Sequence, residues 1–237
     1  EKPTLPNIIG EKFETKYFTK LKNSKSIEGG LRCKNLFKSN YVSLPLISVV
    51  IPNLNGERLK KTLDSVISQD YPNIEIILID GGSKKNNCTE VIREYENEID
   101  YWISEEDDGI YDGWNKGINV AFGKYFGILN SNDVYYPNAF VYLLDYIKKF
   151  EEYDFILGAV EKEKVHAGFR PKEINLRFNI YPSSSIGFFI KLDAQKKIGL
   201  YNIKYKCSSD YDMFYKLIKK YNFQGVATKH NEVFGKF

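Results

Sequence analysis

The chain has 237 residues, of which 43% are apolar and 27% are charged. This composition is typical of a folded globular protein and excludes an intrinsically disordered chain. With 34 Lys and Arg against 31 Asp and Glu, the net charge is only +3, so we expect no nucleic-acid partner. The sequence contains no apolar run of about eighteen residues, and it therefore predicts no membrane-spanning helix.

The cysteines are few and widely spaced. Cys33, Cys88 and Cys207 form no Cys-x-x-Cys pair, and their odd number argues against a disulfide framework. This usage favours a reducing compartment, so we expect a cytoplasmic protein. With two separated histidines as well, a structural zinc site is not predicted.

Charge is distributed unevenly along the chain. Residues 1–44 hold nine Lys and Arg against four Asp and Glu, whereas the rest holds 25 against 27. No sustained apolar period appears before Pro45, so we predict a basic N-terminal extension over residues 1–44 and one folded domain over residues 45–237. The favoured interpretation of the extension is a partly ordered surface arm. The alternative is a basic contact for an anionic membrane face or a partner protein.

From residue 46 onward, short apolar runs alternate with helical patterns. Strands are predicted over residues 46–51, 74–79, 125–129, 155–160 and 186–192. Helices are predicted around residues 59–67, 91–95, 114–121, 140–150 and 211–221. Strands that are apolar throughout are buried on both faces, and their alternation with helices predicts an α/β fold with a mostly parallel sheet.

Polar segments follow three of the predicted strands, at residues 53–55, 80–83 and 130–133. The carboxyl ends of parallel strands share one edge of a sheet, where α/β proteins bind their ligands. A single loop of this composition is explained by turn formation alone. Three at successive strand ends predict a shared pocket.

Asp133 ends the third of these segments. A carboxylate with a neighbouring amide at a strand end suits a hard divalent cation such as Mg²⁺ or Mn²⁺ and its phosphate ligands. The alternative is an Asx turn before residues 135–137. Asp80, followed by two glycines, can accept hydrogen bonds from a nucleobase or ribose, or can belong to a tight turn that Ser83 caps.

Residues 104–117 are the densest polar stretch. Four consecutive acids at residues 105–108 are unfavourable unless cations or hydrogen-bond donors answer them. Asn115 and Lys116 follow on a predicted helix and can point at phosphate or sugar, while the alternative is a solvated loop with a capped helix. Asp210 opens the last long helix, either as a cap or as a general base, and spacing alone does not choose.

Together these segments resemble family 2 glycosyltransferases of the GT-A type over roughly residues 46–225. The matching segments are Ser48-Val49-Val50-Ile51-Pro52 with Asn55, Leu63 to Tyr71, Glu75 to Ser83, Ser104 to Ile118, Gly123 to Asp133, and Ser209-Asp210-Tyr211-Asp212. The resemblance implies a Rossmann-like GT-A fold, with a mixed, mostly parallel sheet flanked by helices. It also implies inverting transfer from a nucleotide diphosphate sugar, with a UDP-sugar favoured, to a hydroxyl of a glycan or lipid-linked acceptor.

The resemblance also assigns expected roles. Pro52, Asn55 and Asp80 would hold the nucleoside, Asp107, Asn115 and Lys116 would line the donor side, Asn132 would contact the ribose, Asp133 would bind Mg²⁺ or Mn²⁺, and Asp210 would be the catalytic base. The expected setting is polysaccharide biosynthesis at the cytoplasmic membrane face, with residues 1–44 as the candidate peripheral contact.

Asn132 supports an alternative of another class. It stands where the family carries the first acid of its metal motif, so a non-catalytic nucleotide-sugar-binding module of the same fold remains open. A dinucleotide-dependent enzyme is not favoured, because no Gly-x-Gly-x-x-Gly segment follows the strand predicted over residues 46–51.

Overall fold

The computed structural model describes residues 13–22, 24–168 and 184–237. Its strands are β1 (Ile27–Gly29), β2 (Ile47–Asn53), β3 (Ile74–Asp80), β4 (Tyr101–Ser104), β5 (Tyr125–Ile128), β6 (Val134–Tyr135), β7 (Phe155–Leu157), β8 (Ala159–Glu161), β9 (Val165–His166), β10 (Phe188–Lys191), β11 (Gly225–Ala227) and β12 (Val233–Lys236). Its α-helices are α1 (Leu59–Ile67), α2 (Cys88–Glu94), α3 (Ile110–Asn119), α4 (Ala139–Lys149), α5 (Leu192–Ile198) and α6 (Ser209–Tyr215). Among these helices, none has the length and apolarity needed to cross a bilayer.

The main sheet has the strand order β1-β4-β3-β2-β5-β10-β7-β11 within the described ranges. The four central strands β4, β3, β2 and β5 run parallel to one another. β10 is antiparallel to both β5 and β7, and β11 is parallel to β7. The predicted mixed, mostly parallel sheet flanked by helices is therefore confirmed, and a smaller sheet of order β6-β12-β8-β9 lies beside it.

The core lies on both faces of the main sheet. Val49 belongs to a buried cluster that also contains Leu63 of α1 and Phe140 of α4. Its neighbour Val50 belongs to a second cluster with Trp114 of α3. Successive side chains of a strand point to opposite faces, so a strand covered on both sides is mainly apolar. This is why the central strands are apolar over most of their length, with the buried Ser48 and Glu75 as exceptions.

The strand predicted over residues 155–160 is wrong as a single element. It divides at Gly158 into β7, which belongs to the main sheet, and β8, which belongs to the smaller one. A Cβ at Gly158 would lie 2.3 Å from the Phe234 ring, so the close packing of that ring requires a glycine. The strand predicted over residues 186–192 is shorter than expected, because a 3₁₀ turn at Ser185–Gly187 precedes β10.

The N-terminal extension joins the folded domain. β1 adds to the main sheet by antiparallel pairing with β4. Arg32, 1% exposed, forms a buried ion pair with Glu75 of β3 and donates to the Val120 carbonyl. The interpretation as a partly ordered surface arm is wrong for this part, because pairing and the ion pair fix it. The boundary at residue 45 stays a prediction, and residues 1–12 lie outside the described residues.

Candidate active site

The loops that follow the parallel strands meet at the carboxyl edge of the main sheet, as predicted. The Asn53 amide, at the end of β2, donates to Asp80 at the end of β3 over 2.6 Å. A Cβ at Gly56 would lie 2.5 Å from the Ser131 hydroxyl, in the loop after β5. The polar segments after β2, β3 and β5 are thus in mutual contact, which is the arrangement expected for a ligand site in an open α/β sheet.

Asp80 is fully buried, and its carboxylate accepts four hydrogen bonds from the protein. Oδ1 accepts from the Asn53 amide at 2.6 Å and the Ser83 hydroxyl at 2.5 Å. Oδ2 accepts from the Ser83 backbone N–H at 3.0 Å and the Ser104 hydroxyl at 2.6 Å. A carboxylate offers about four acceptor positions, so these bonds use all of them. Asp80 thus links the loops after β2, β3 and β4 to one another. Its predicted contact with a nucleoside stays a prediction.

Asn55 and Pro52 shape the same edge. Asn55 adopts a left-handed backbone conformation with φ of 54°, which asparagine tolerates better than most residues. Its side-chain oxygen accepts from the backbone N–H groups of Lys84 and Lys85, both at 2.8 Å. Pro52 is half-buried, and a Cβ built on Gly113 of α3 would lie 3.8 Å from the Pro52 Cβ. Asn55 therefore holds the loop after β3, and Pro52 packs against α3.

Asp107 lies between the end of β3 and α3. A Cβ at Gly81 would lie 2.7 Å from Asp107 Oδ2, and one at Gly113 would lie 3.4 Å from it. Gly81 is thus the residue that admits this carboxylate. Burial raises the pKa of Asp107, against the opposing effects of the Gly109 N–H and of Lys116.

Lys116 and Asn115 both serve internal contacts. The Lys116 ammonium lies 2.7 Å from Glu105 and 3.4 Å from Asp112, so it answers part of the acidic run. The Asn115 amide donates to the Tyr201 carbonyl and accepts from the Tyr201 N–H, each over 2.8 Å. Direct contacts of these two side chains with a donor stay predictions.

Asp133 is a buried carboxylate with little internal compensation. It is 8% exposed, and the hydrogen bond that it accepts from the Asn130 amide is long, at 3.3 Å. Within the described ranges, no lysine or arginine forms an ion pair with it. Burial raises its pKa to about 6, although the bond from Asn130 opposes the shift.

The surroundings of Asp133 fit a hard divalent cation. The Asn130 side-chain oxygen is buried and has no hydrogen-bond partner in the part of the chain that the structure describes. A carboxylate and an amide oxygen are the donors that Mg²⁺ and Mn²⁺ prefer. No cluster of three or more His, Cys, Asp or Glu exists among the described residues.

Asn132 lies at the exposed rim next to Asp133. Its side-chain oxygen accepts from the Arg58 backbone N–H at 3.2 Å, which ties the loop after β5 to the start of α1. Its predicted contact with a ribose stays a prediction, and the exposed position leaves the residue reachable from solvent.

Asp210 lies at the start of α6, half-buried, and is held by a residue that the sequence does not single out. The Tyr111 hydroxyl of α3 donates to Asp210 Oδ1 over 3.1 Å. The Tyr111 ring stacks on Tyr201 with centroids 5.8 Å apart and meets Trp114 edge-on at 5.2 Å. Burial and the charge of Asp210 both raise the pKa of Tyr111, which keeps it a hydroxyl donor. Tyr111 lies on the same helix as Asn115 and Lys116, and this shared helix is the feature of the sequence that could have pointed to it.

The fold and the site together define a GT-A glycosyltransferase domain: a mixed sheet with amide and acidic side chains gathered at its carboxyl edge. The chain belongs to glycosyl transferase family 2, whose family model matches residues 48–216.

A relative agrees with this family, and two solved structures share the fold. An uncharacterized glycosyltransferase of Rickettsia prowazekii is 30% identical over 197 residues, which are 77% of this chain and 61% of that protein. The chain thus spans less than two thirds of this relative's length. Staphylococcus aureus TarS 1-349 in complex with UDP-GlcNAc has a TM-score of 0.65 at 15% identity, covering 81% of this chain and 58% of that one. The mannosyltransferase PcManGT of Pyrobaculum calidifontis, in complex with GDP-Man and Mn²⁺, has a TM-score of 0.61 at 15% identity, covering 84% and 58%.

Proposed function

We propose that the chain carries out inverting transfer of a sugar from a nucleotide diphosphate sugar, with a UDP-sugar favoured, to a hydroxyl of a glycan or glycolipid. The observation that carries the proposal is the arrangement around α3. Tyr111 holds Asp210 on one side of the helix, and Gly113 lies next to Asp107 on the donor side. The proposed base Asp210 and the loop that carries Asp107 are therefore both positioned by α3. The bound UDP-GlcNAc and GDP-Man of the structural neighbours support a nucleotide-sugar donor.

Asp210 is the proposed general base. Its carboxylate takes the proton of the acceptor hydroxyl as that oxygen forms a bond to the anomeric carbon. The bond from the anomeric carbon to the diphosphate breaks in the same step, and the electron pair leaves with the nucleoside diphosphate. This single displacement inverts the anomeric configuration and forms no sugar–protein bond. The hydrogen bond from Tyr111 fixes the orientation of the carboxylate.

Asp133 and the side-chain oxygen of Asn130 would hold Mg²⁺ or Mn²⁺. When bound there, such a cation supplies positive charge against the diphosphate that departs. Asn132 and the half-buried Pro52 then border the donor, while Asn115 and Lys116 keep α3 and the acidic loop in place through their internal contacts. Asp80 supports the nucleoside end through the serines that it binds.

A reducing, cytoplasmic setting at the inner membrane face is part of the proposal. Cys33, Cys88 and Cys207 are all free thiols, which is the usual state of cysteines in a reducing compartment. The N-terminal extension is the proposed peripheral contact with the membrane.

The proposal is tested by turnover of the wild type and of Asp210→Asn. We expect the wild type, with Mn²⁺, to release nucleoside diphosphate from at least one member of a panel of UDP-, GDP- and dTDP-sugars. In Asp210→Asn we expect kcat to fall by about 10² to 10⁴, the range for loss of a general base. UDP affinity, measured by titration calorimetry, should stay within about two-fold.

Asp212→Asn is the matched control, because Asp212 lies on the same helix and pairs with Lys216. It should keep wild-type turnover. Full activity of Asp210→Asn would remove Asp210 from its role. Donor binding by the wild type with no turnover of any sugar in the panel would favour the non-catalytic module instead.

A further inference from the structure

The N-terminal extension reaches the acidic loop that follows β4. Since β1 pairs with β4 in the register Ile27 to Ser104, the preceding residue Ser26 lies beside Glu105. The Ser26 hydroxyl donates to Glu105 Oε2 at 2.8 Å, and the Lys22 backbone N–H donates to the same oxygen at 2.9 Å. The Lys22 ammonium reaches Asp108 at 3.1 Å. Two acids of the run at residues 105–108 are therefore contacted by residues of the N-terminal extension. The extension lies outside residues 48–216, the part that matches the family model.

Glu105 contacts both this extension and α3. It is 5% exposed, and its other oxygen lies 2.7 Å from the Lys116 ammonium of α3. Burial opposes the charge of Glu105, but the ion pair with Lys116 and the hydrogen bonds from Lys22 and Ser26 outweigh it and lower the pKa of Glu105. The loop that carries Asp107 is thus clamped between α3 and the N-terminal extension.

A cleft of about 470 Å³ opens beside Glu105, and we call it the serine cleft. It is lined by residues 24–26 of the extension, residues 82–84 after β3 and residues 104–106 after β4. Two of its lining hydroxyls, those of Ser83 and Ser104, are the groups that bind Asp80. The cleft therefore lies directly against the strand end that the sequence links to the nucleoside.

The chemistry of the serine cleft suits the nucleoside part of a donor. Its volume is within the range of small-molecule sites, roughly 300 to 1,000 Å³. Backbone groups, four serine hydroxyls and the charged side chains of Lys25, Lys84, Glu105 and Glu106 line it. The hydroxyls of Ser26, Ser83 and Ser104 already donate within the protein, so the expected pairing with a base edge or a ribose is through Ser24, the backbone and the charged groups. Asp80 has no unused acceptor position, so recognition falls to the groups around it.

We infer that residues 24–26 form the outer wall of the donor's nucleoside site, so that the N-terminal extension takes part in donor binding. The inference rests on the proposed function, because a nucleotide-sugar donor is its ligand. It adds to that function a wall that lies outside the segment matched by the family model.

The test is UDP binding by Ser24→Tyr, measured by titration calorimetry. Ser24 is exposed, so the larger side chain enters the cleft without disturbing the core. We expect UDP affinity to fall by about ten-fold or more. The control is Ser68→Tyr, at the exposed end of α1 near the start of β3 and so at the opposite edge of the sheet, which should stay within about two-fold. Unchanged melting temperatures without nucleotide verify that both variants fold.

Hydrogen exchange on the unmodified protein gives a second measurement. UDP should slow amide exchange in the peptide that contains residues 24–29. UDP affinity of Ser24→Tyr equal to that of the wild type, or exchange in this peptide that UDP does not change, would overturn the inference while leaving the proposed function standing. Failure of the wild type to bind UDP, GDP or dTDP would overturn both.

Discussion

Two buried aspartates at the carboxyl edge of the sheet have opposite surroundings. Asp80, after β3, is 0% exposed and accepts four hydrogen bonds from Asn53, Ser83 and Ser104. Asp133, after β5, is 8% exposed and accepts one long bond from Asn130. The described residues thus satisfy one carboxylate with four hydrogen bonds and give the other a single long one.

The difference follows from the loops. The end of β3 is flanked by the ends of β2 and β4, which bring an amide and a hydroxyl to Asp80. The end of β5 has β2 on one side and the antiparallel β10 on the other, and among the described residues the Asn130 amide is the side-chain donor to the Asp133 carboxylate. A carboxylate left this way resists ionisation, and burial accordingly raises the pKa of Asp133 to about 6. Asp80 is expected to support the fold, whereas Asp133 is expected to serve a ligand.

The largest predicted effect is on folding, in Asp80→Ala. The substitution removes the charged acceptor of the buried Asn53 amide and of the half-buried donors on Ser83 and Ser104. The loss of four hydrogen bonds to a charged group is costly, so we expect the free energy of unfolding to fall by roughly 3 to 5 kcal/mol. Urea denaturation followed by circular dichroism measures it.

The exposed Asp70→Ala is the control for that measurement and should change stability by less than about 0.5 kcal/mol. An Asp80→Ala protein as stable as the wild type would show that the four hydrogen bonds do not hold the loops together. The contrast between the two aspartates would then disappear.

A smaller effect of opposite sign is predicted for Asp133→Asn in metal-free buffer. The folded-state pKa of Asp133 is raised from 3.8 to about 6, so the folded protein holds the proton of this carboxyl more tightly than the unfolded chain does. The wild type therefore loses stability as pH rises from about 4 to about 6. The variant has no charge to bury. It should exceed the wild type by roughly 2 to 3 kcal/mol in unfolding free energy at pH 7.5, and by much less at pH 4.5.

Urea titrations of both proteins with EDTA at those two pH values measure the difference. Because other carboxylates titrate alike in both proteins, their contributions cancel. A stability difference that does not change with pH would mean that Asp133 is as well satisfied as Asp80.

The sequence predicts the sheet and the placement of the site better than the contacts within it. Apart from Ser48 and Glu75, residues 46–51 and 74–79 are apolar on both faces, so burial between helix layers follows directly from their composition. The polar segments after them are at the sheet edge for the same reason. The division at Gly158 is not predictable, because it depends on packing against Phe234, a residue far along the chain.

The N-terminal extension escapes prediction for a related reason. Arg32 stands in a segment without apolar period, and its partner Glu75 stands in an apolar strand. A lone acid in a buried run does require a partner, but nothing in the sequence says which basic residue supplies it. The bond from Tyr111 to Asp210 likewise joins residues far apart in the chain, which only the fold brings together.

The most direct test of the central claim is the Mn²⁺ dependence of UDP binding in the wild type and in Asp133→Ala, measured by titration calorimetry. We expect Mn²⁺ to tighten UDP binding to the wild type by about ten-fold or more, and to have no such effect on Asp133→Ala. Metal-free UDP affinity should be the same in both. Equal enhancement by Mn²⁺ in both proteins would contradict the assignment of Asp133 as the carboxylate left for the cation of the donor.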